Sequence, residues 1–196
     1  MSKFKEEKTL LLIKPDGVKR GLTGEIFRRI EQRGLKIIAL KMFWPTRKEM
    51  EKHYSAAPAY LKSIGEKTLA TYQKYGLDAM KEFGTSDAEK IGKEVRGWLI
   101  DFMTSAPLVK AVVQGVHAVE MVRKLVGHTM PAQAEMGTIR GDFSVDSAAL
   151  ANAQKRAVRN LVHASGAIDE AEHEIALWFT PLEIHEYKRA EEDIMF

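Results

Sequence analysis

The clearest chemistry in this sequence lies in a short stretch, residues 160–165 (NLVHAS), which carries His163. Branched apolar residues precede the histidine and small or polar residues follow it, which predicts an imidazole at the end of a buried strand. A neutral imidazole attacks with one ring nitrogen while the other keeps its proton, and a carboxylate that accepts this N–H fixes the tautomer. Glu174 is the first candidate for that carboxylate and Glu170 is the second. Considered alone, these residues also suit a histidine buried in a core.

Three cations and two neutral donors could accompany the histidine. Lys14 follows an apolar run, Arg123 lies in the last turns of a predicted helix and Arg140 lies near the end of a long loop, whereas Thr129 and Asn160 are neutral. Individually, the cations suit a lysine that reaches solvent, a partner of a helix dipole and a surface arginine. Together, two guanidinium forks and an ammonium suit the oxygens of a phosphate. Because the sequence has neither GxxxxGK[ST] nor GxGxxG, side chains must do most of the phosphate binding.

Composition and charge narrow the class of protein. The 196 residues are 45% hydrophobic and 29% charged, as in ordinary globular proteins, and they include no cysteine, which excludes disulfides and cysteine-based metal or redox sites. The sequence shows no signal-peptide pattern and no apolar run of membrane-spanning length, so we predict a soluble cytoplasmic protein. The net charge of +3 mildly favours an anionic ligand. No nucleic-acid-binding motif accompanies the basic segments, so we expect no nucleic acid partner.

The elements that must position these groups alternate between strands and helices. Four apolar runs are typical of strands: residues 9–13, 35–44 and 108–113 and the run that leads to His163. So few strands favour the split β-α-β arrangement of ferredoxin-like folds over a doubly wound sheet. We therefore predict an α+β protein in which a four-stranded antiparallel sheet carries helices on its faces.

Helical periodicity and end signals predict the helices. Thr46 and Glu49 have the spacing of a capping box, which starts a helix that ends near Tyr54. Residues 55–94 are interpreted as two or three short helices punctuated by glycines, because their apolar content is too high for a disordered linker. The other predicted helices cover residues 22–33, 95–104, 117–126 and 147–156, the segment after His163 and a short tail after Pro181, and an ordered loop covers 127–141.

Several motifs together resemble those of the nucleoside diphosphate kinases, in an archaeal-like form with a long helical insertion. They are residues 9–21 (TLLLIKPDGVKRG), 53–54 (HY), 105–107 (SAP), 123–129, 137–143 (GTIRGDF), 160–165 (NLVHAS) and 172–179 (EHEIALWF). The resemblance implies a ferredoxin-like core in a single domain, residues 1–196, with 55–94 as the insertion. It also implies a homo-oligomer, with a hexamer favoured over a tetramer. The implied activity moves a γ-phosphoryl group from a nucleoside triphosphate to a nucleoside diphosphate by a ping-pong route through a phosphohistidine, with Mg²⁺ as cofactor.

The resemblance also implies a role for each matching catalytic residue. His163 matches the nucleophile and Glu174 the carboxylate that orients its ring. Ser165 matches the serine that contacts this glutamate, and Tyr54 matches a tyrosine close to the catalytic histidine.

The matching substrate-binding residues follow in the same way. Lys14, Arg123 and Arg140 match phosphate ligands, Thr129 matches a donor to phosphate and Asn160 matches the residue that hydrogen-bonds the sugar. Mg²⁺ is expected to be held by the nucleotide phosphates rather than by the protein. The remaining histidines lack the spacing of metal ligands, so no protein metal site is predicted.

Three departures from the family pattern leave open questions. Gly166 stands where the family has aspartate after the serine, and residues 55–94 and 144–159 are longer than usual. In the family an aromatic ring stacks on the base. The matching position here is Arg96, and Trp98 and Tyr60 are alternative stacking groups. Since all three would act on the π-face that every base has, we expect broad base selectivity.

Overall fold

The sheet at the centre of the molecule has four antiparallel strands in the order β2-β3-β1-β4. The structure is a computed structural model that describes residues 6–190 and 192–195, and within them the strands are β1 (Glu6–Ile13), β2 (Lys36–Phe43), β3 (Leu108–Val116) and β4 (Val162–Ala164). This strand order is that of a ferredoxin-like fold, as predicted. β4 is short and pairs only with the last residues of β1, Leu11 to Ile13.

Helices cover both faces of the sheet. Their bounds are α1 (Pro15–Lys19), α2 (Thr23–Gln32), α3 (Arg47–His53), α4 (Pro58–Lys74), α5 (Ala79–Phe83), α6 (Ala88–Met103), α7 (Ala118–Val126), α8 (Ile139–Phe143), α9 (Ala148–Ala153), α10 (Ile168–Trp178) and α11 (Glu192–Met195). Single 3₁₀ turns lie at Pro131–Gln133 and Pro181–Glu183. Among the described residues, no helix is long and apolar enough to cross a membrane.

The apolar run at the end of strand β1 is continuous because both faces of the strand are buried. Side chains alternate between the two faces of a strand, so Leu11 and Ile13 pack with α2 and α7, whereas Leu10 and Leu12 pack with α3, α6 and α10. All four side chains are fully buried. Because both faces are covered, the strand carries the next residue, Lys14, into the interior of the protein.

Segment 55–94 contains three helical stretches, in agreement with the prediction of two or three helices, but they are not all short. It contains the 17-residue α4, the short α5 and the first half of α6, which continues to Met103. Gly65 and Gly92, which appeared to end helices, lie inside α4 and α6. A Cβ atom on Gly92 would lie 1.8 Å from the carbonyl oxygen of Leu61, so these glycines allow the two helices to approach closely.

Other boundaries follow local signals with a few exceptions. The capping box of Thr46 and Glu49 is present at the start of α3. After Pro181 the chain forms a single 3₁₀ turn and then the short tail helix α11, and the predicted helix at 147–156 is limited to α9. The loop at 127–141 includes a 3₁₀ turn, and its last residues belong to α8.

Candidate active site

His163 and Glu174 form a hydrogen-bonded pair between β4 and α10. The Nε2 atom of His163 lies 2.8 Å from Oε1 of Glu174, and Ser165 donates its hydroxyl to Oε2 of the same carboxylate at 2.6 Å. Since a carboxylate only accepts, Nε2 carries the proton and Nδ1 keeps its lone pair. Glu170, the alternative orienting carboxylate, accepts the backbone N–H of Gly166 at 2.7 Å instead. The nitrogen available for attack is therefore Nδ1 of His163.

Glu174 is charged although it is buried. Its side chain is 8% exposed. Burial by itself raises the pKa of Glu174, but the hydrogen bonds from His163 and Ser165 outweigh this effect and hold the pKa below its usual range. A fixed negative charge therefore faces the imidazole on the side away from Nδ1. It can stabilise positive charge that develops on the ring.

Lys14 is buried and faces an amide rather than solvent. Its Nζ donates to Oδ1 of Asn160 at 2.7 Å, and Nδ2 of Asn160 donates to the backbone carbonyl of Thr129 at 2.9 Å. Burial is the main cause that lowers the pKa of Lys14 to about 8, and Arg140 adds to it. These bonds assemble three predicted site residues from the end of β1, from the loop after α7 and from the approach to β4.

Arg140 holds the backbone around the site. Its guanidinium donates to the carbonyls of Gly127, Asn160 and Val162 at 2.8, 3.0 and 2.8 Å. Burial and the neighbouring Arg123 lower the pKa of Arg140 to about 10. A guanidinium has five N–H donors, so these bonds leave donors for a ligand. Arg140 thus also stabilises the backbone around the site, a role that its isolated position in the sequence did not indicate.

Arg123 is the exposed cation of the site. It lies in the last turn of α7, and no hydrogen bond or ion pair holds its side chain among the described residues. It passes close to Gly166, where an added Cβ atom would lie 3.5 Å from Nη1 of Arg123 and 2.6 Å from Oε2 of Glu170. Because Glu170 accepts the N–H of Gly166, this loop is held by the side chain of a glutamate four residues along the chain.

Leu161 has an unusual backbone conformation between two predicted site residues. Its φ of 69° lies in the left-handed region, which costs about 1–3 kcal/mol for a residue other than glycine. The carboxylate of Asp16 accepts its N–H at 3.0 Å, and its carbonyl accepts the N–H of Lys14 at 2.8 Å. The chain around α1 therefore stabilises this conformation, which separates Asn160 from His163.

Two of the three candidate base-stacking groups already have partners. Arg96 donates from Nε to the carbonyl of Tyr54 at 2.8 Å and from Nη2 to that of Glu51 at 3.0 Å, which braces the end of α3. Trp98 stacks on Phe83 of α5, with ring centroids 5.8 Å apart. Tyr60, the third candidate, packs partly buried against the core cluster that contains Tyr54.

Sequence reasoning gave no role to His53, which lies directly behind the nucleophile. Its ring centroid is 4.8 Å from that of His163 and 4.8 Å from that of Tyr54. Trp178 donates its indole N–H to Nδ1 of His53 at 3.3 Å. The available signals were that His53 adjoins Tyr54 and that Trp178 follows Glu174 on the same helix.

The ring nitrogens and the carboxylate of this cluster lie close enough together to be potential metal ligands. Potential ligand atoms of His53, His163 and Glu174 lie within 4.8 Å of one another, the one such group among the described residues. Two nitrogens and a single carboxylate do not suit Mg²⁺, which prefers oxygen ligands and retains waters. The cluster is better described as a hydrogen-bonded pair with a packed histidine behind it.

Comparisons with known proteins give one consistent family. A sequence model described as nucleoside diphosphate kinase matches residues 7–63 and 79–184. The chain is 49% identical over 180 residues to the nucleoside diphosphate kinase of Pyrobaculum aerophilum, covering 92% of this chain and 98% of the relative. It is 38% identical over 190 residues to that of Archaeoglobus fulgidus, covering 97% of each.

Solved structures agree with the sequences. The crystal structure of an NDP kinase from Pyrobaculum aerophilum superposes with a TM-score of 0.90 at 48% identity, covering 93% of this chain and 100% of that one. The enzyme from Borrelia burgdorferi, solved as a transition-state mimic with bound vanadate and ADP, superposes with a TM-score of 0.75 at 37% identity and 95% coverage of both chains. The chain therefore belongs to the nucleoside diphosphate kinase family, and its activity is that of a nucleoside diphosphate kinase.

Proposed function

We propose that His163 carries the phosphoryl group between the two nucleotides of this ping-pong reaction. The lone pair on Nδ1 attacks the γ-phosphorus of a nucleoside triphosphate, an N–P bond forms, and the bond to the β,γ-bridging oxygen breaks. The nucleoside diphosphate leaves with that electron pair. An oxygen of the acceptor's β-phosphate then attacks the phosphorus, and the N–P pair returns to Nδ1. The observation that supports this role is the 2.8 Å bond from Nε2 to Glu174, which leaves Nδ1 free.

The cations around His163 are proposed to bind the phosphates. Lys14 and Arg140 are buried at 6% and 7% exposure, and Arg123 is exposed at the mouth of the site. Burial is the main cause that lowers the pKa of both Lys14 and Arg140, a neighbouring cation lowers each pKa further, and the opposing effect of Asp16 does not offset this. A polyphosphate would supply the missing negative charge, and these groups would stabilise charge on its oxygens during transfer.

The neutral residues are proposed to complete the site. Thr129 is proposed to donate its hydroxyl to a phosphate and Asn160 to hydrogen-bond the sugar. The amide of Asn160 contacts both Lys14 and the backbone of Thr129, which holds these residues together. Ser165 and Tyr54 support the catalytic pair: Ser165 holds Oε2 of Glu174, and the ring of Tyr54 contacts His53.

Mg²⁺ is the proposed cofactor, held by the phosphates of the nucleotide. It would offset charge on the β- and γ-phosphate oxygens, which is the chemistry such an ion supplies in phosphoryl transfer. The residues fit this arrangement because the cations of the site, Lys14, Arg123 and Arg140, suit direct phosphate contacts and not metal ligation.

We further propose one domain over residues 1–196, with 55–94 as a helical insertion, assembled into a homo-oligomer with a hexamer favoured. The family model leaves residues 64–78 unmatched, inside that segment. The edge strand β2 and the residue after it expose Leu40, Met42 and Trp44 at 56, 59 and 63%, an apolar strip that suits contact with another copy. A cytoplasmic location without a nucleic acid partner is proposed from composition.

A brief labelling experiment tests the proposed intermediate. Exposure to ATP labelled at its γ-phosphate, with Mg²⁺, should leave a phosphoryl group on the protein that is stable in base and labile in acid. Addition of unlabelled GDP should remove the label as GTP. The variant His163→Ala should take no label, whereas His173→Ala, an exposed histidine on α10, should label normally. Label that persists in His163→Ala would refute the assignment.

A further inference from the structure

The ring of His53 is enclosed by the catalytic pair and aromatic neighbours. Its side chain is only 2% exposed. The ring meets that of His163 edge-on, with centroids 4.8 Å apart and planes at 86°, and it contacts the rings of Tyr54 and Trp178 at 4.8 and 5.6 Å. His53 is therefore part of the surface against which the ring of His163 rests.

A single hydrogen bond determines the tautomer of His53. Trp178 donates its indole N–H to Nδ1 of His53 at 3.3 Å, and an indole nitrogen can only donate. Nδ1 therefore has no proton, Nε2 carries one, and the ring is neutral. Among the described residues Nε2 is buried and has no hydrogen-bond partner, so no acceptor favours a cationic ring at that atom.

Burial and most of the charges around His53 also favour the neutral ring. Burial is the largest cause that lowers its pKa to about 3, followed by His163. Lys14 and His173 lower the pKa further, and only Glu174 among the charged neighbours raises it. Tyr54, the remaining titratable neighbour, is neutral because burial raises its pKa. The ring is thus uncharged throughout the interval in which an ordinary histidine titrates.

Neutrality matters because the two histidines share one carboxylate. Oε1 of Glu174 is 2.8 Å from Nε2 of His163 and 3.6 Å from Nδ1 of His53. A protonated His53 would compete for this carboxylate. It would also place a second cation beside His163 while positive charge develops on that ring during attack, which raises the barrier.

We propose that His53 is a positioning residue of the reaction: a neutral imidazole, held in one tautomer by Trp178, that supports the ring of His163 and leaves Glu174 to it alone. The inference rests on the proposed role of His163 as the nucleophile. It assigns to His53 and Trp178 a function that acts through the nucleophile and not through contact with the nucleotide.

The first test observes the tautomer in the unmodified protein. The ¹⁵N chemical shifts of His53 should remain those of a neutral ring with its proton on Nε2 between about pH 5 and 8, the interval in which an ordinary histidine titrates. A His53 signal that titrates near its ordinary pKa, or that shows the proton on Nδ1, overturns the proposal.

The second test uses substitutions that change the tautomer. Trp178→Phe keeps an aromatic ring but removes the N–H donor, so the proton of the neutral ring can move to Nδ1, which lies 3.6 Å from Oε1 of Glu174. The ¹⁵N shifts of His53 should then show the proton on Nδ1, and the rate of phosphoenzyme formation should fall about tenfold. The double variant Trp178→Phe with His53→Phe should recover much of this loss, because phenylalanine cannot donate to Glu174. ADP binding and thermal unfolding of each variant establish that it is folded.

The third comparison distinguishes steric support of the His163 ring from an effect of the charge of His53. His53→Ala should lower kcat about 10–100-fold with KM within about twofold, whereas His53→Phe should restore much of the loss. Unchanged kcat in His53→Ala, or a wild-type rate of phosphoenzyme formation in Trp178→Phe, contradicts the proposal. Failure of the proposed function has a different signature, since His163→Ala would then keep turning over whatever His53 does.

Discussion

Lys155 contacts Glu82 and joins segments 55–94 and 144–159, which are far apart in the sequence. Its Nζ lies 3.4 Å from the carbonyl oxygen of Glu82 and 3.9 Å from Oε2 of the same residue. Nearby, α9 packs against α4. The two segments therefore meet in space. The exposed ion pair contributes little by itself, so the packing of α4 must hold these segments together.

The close packing of α4 on α6 predicts a steric effect at Gly92. A Cβ there would lie 1.8 Å from a backbone oxygen, so Gly92→Ala should reduce the free energy of unfolding by about 1–3 kcal/mol. Gly97 is the matched control in the same helix, since a Cβ there meets nothing within 4 Å. Gly97→Ala should stabilise the protein by about 0.5–1 kcal/mol. Denaturant unfolding measures both, and equal effects of the two substitutions would contradict this account of the packing.

Removal of the nucleophile should separate catalysis from binding. His163→Ala should abolish phosphoryl exchange while ADP still binds, because the cations that hold phosphate lie on other residues. Steady-state exchange assays and calorimetric titration with ADP measure the two properties. Near-normal turnover in this variant would mean that another group carries the phosphoryl intermediate.

Replacement of the orienting carboxylate should be milder. In Glu174→Gln the amide oxygen still accepts the N–H of His163, but the negative charge is lost, so kcat should fall about 10–10³-fold. Glu172, exposed on the same helix, provides the control, and Glu172→Gln should leave kcat unchanged. If the two variants have the same kcat, the charge of Glu174 does not assist transfer.

The lowered pKa of Lys14 predicts that nucleotide binding takes up a proton. In the free protein Lys14 loses its proton near pH 8, whereas a bound phosphate favours the charged form and raises its pKa. Above that pH, binding should therefore require protonation, and the affinity for ADP should fall by up to about tenfold per pH unit. Calorimetry at about pH 9 in buffers of different ionisation enthalpy measures the uptake. Lys14→Met should show weaker binding without it; uptake that survives in this variant would assign the proton to another group.

Base selectivity should be broad, with purines modestly favoured for their larger stacking area. The candidate base-stacking groups, Arg96, Trp98 and Tyr60, would stack on the face of a base and would not hydrogen-bond its edges. Initial rates with the ribo and deoxy forms of all bases should therefore lie within about a hundredfold of one another, about 2.7 kcal/mol. Arg96→Ala should raise KM by a similar factor for every base, since Arg96 also braces the backbone of Tyr54 and Glu51. A loss confined to one base would instead indicate specific recognition by this residue.

Sequence patterns were sufficient for much of the architecture because the relevant signals are local. The capping box at Thr46, the apolar run of β1 and the helix that places Glu174 eleven residues after His163 depend on periodicities of two or about 3.6 residues. The family motifs then selected the candidate site residues. Two or three helices were predicted in segment 55–94 and three are present, but the length of α4 was not predicted, because a glycine that ends a helix and a glycine that admits a neighbouring helix have the same sequence signal.

Contacts between distant parts of the chain were decided only by the tertiary structure. The bond from Lys14 to Asn160 joins residues 146 apart in the sequence, and the bond from Trp178 to His53 joins residues 125 apart. The packing of the strands and helices determines which groups Arg140 and His53 contact. Side-chain burial then sets the charge state of each group. Residue types, spacing and the family motifs thus suggested the candidate reacting groups, whereas packing determined their hydrogen bonds, their protonation and the residues that lie behind His163.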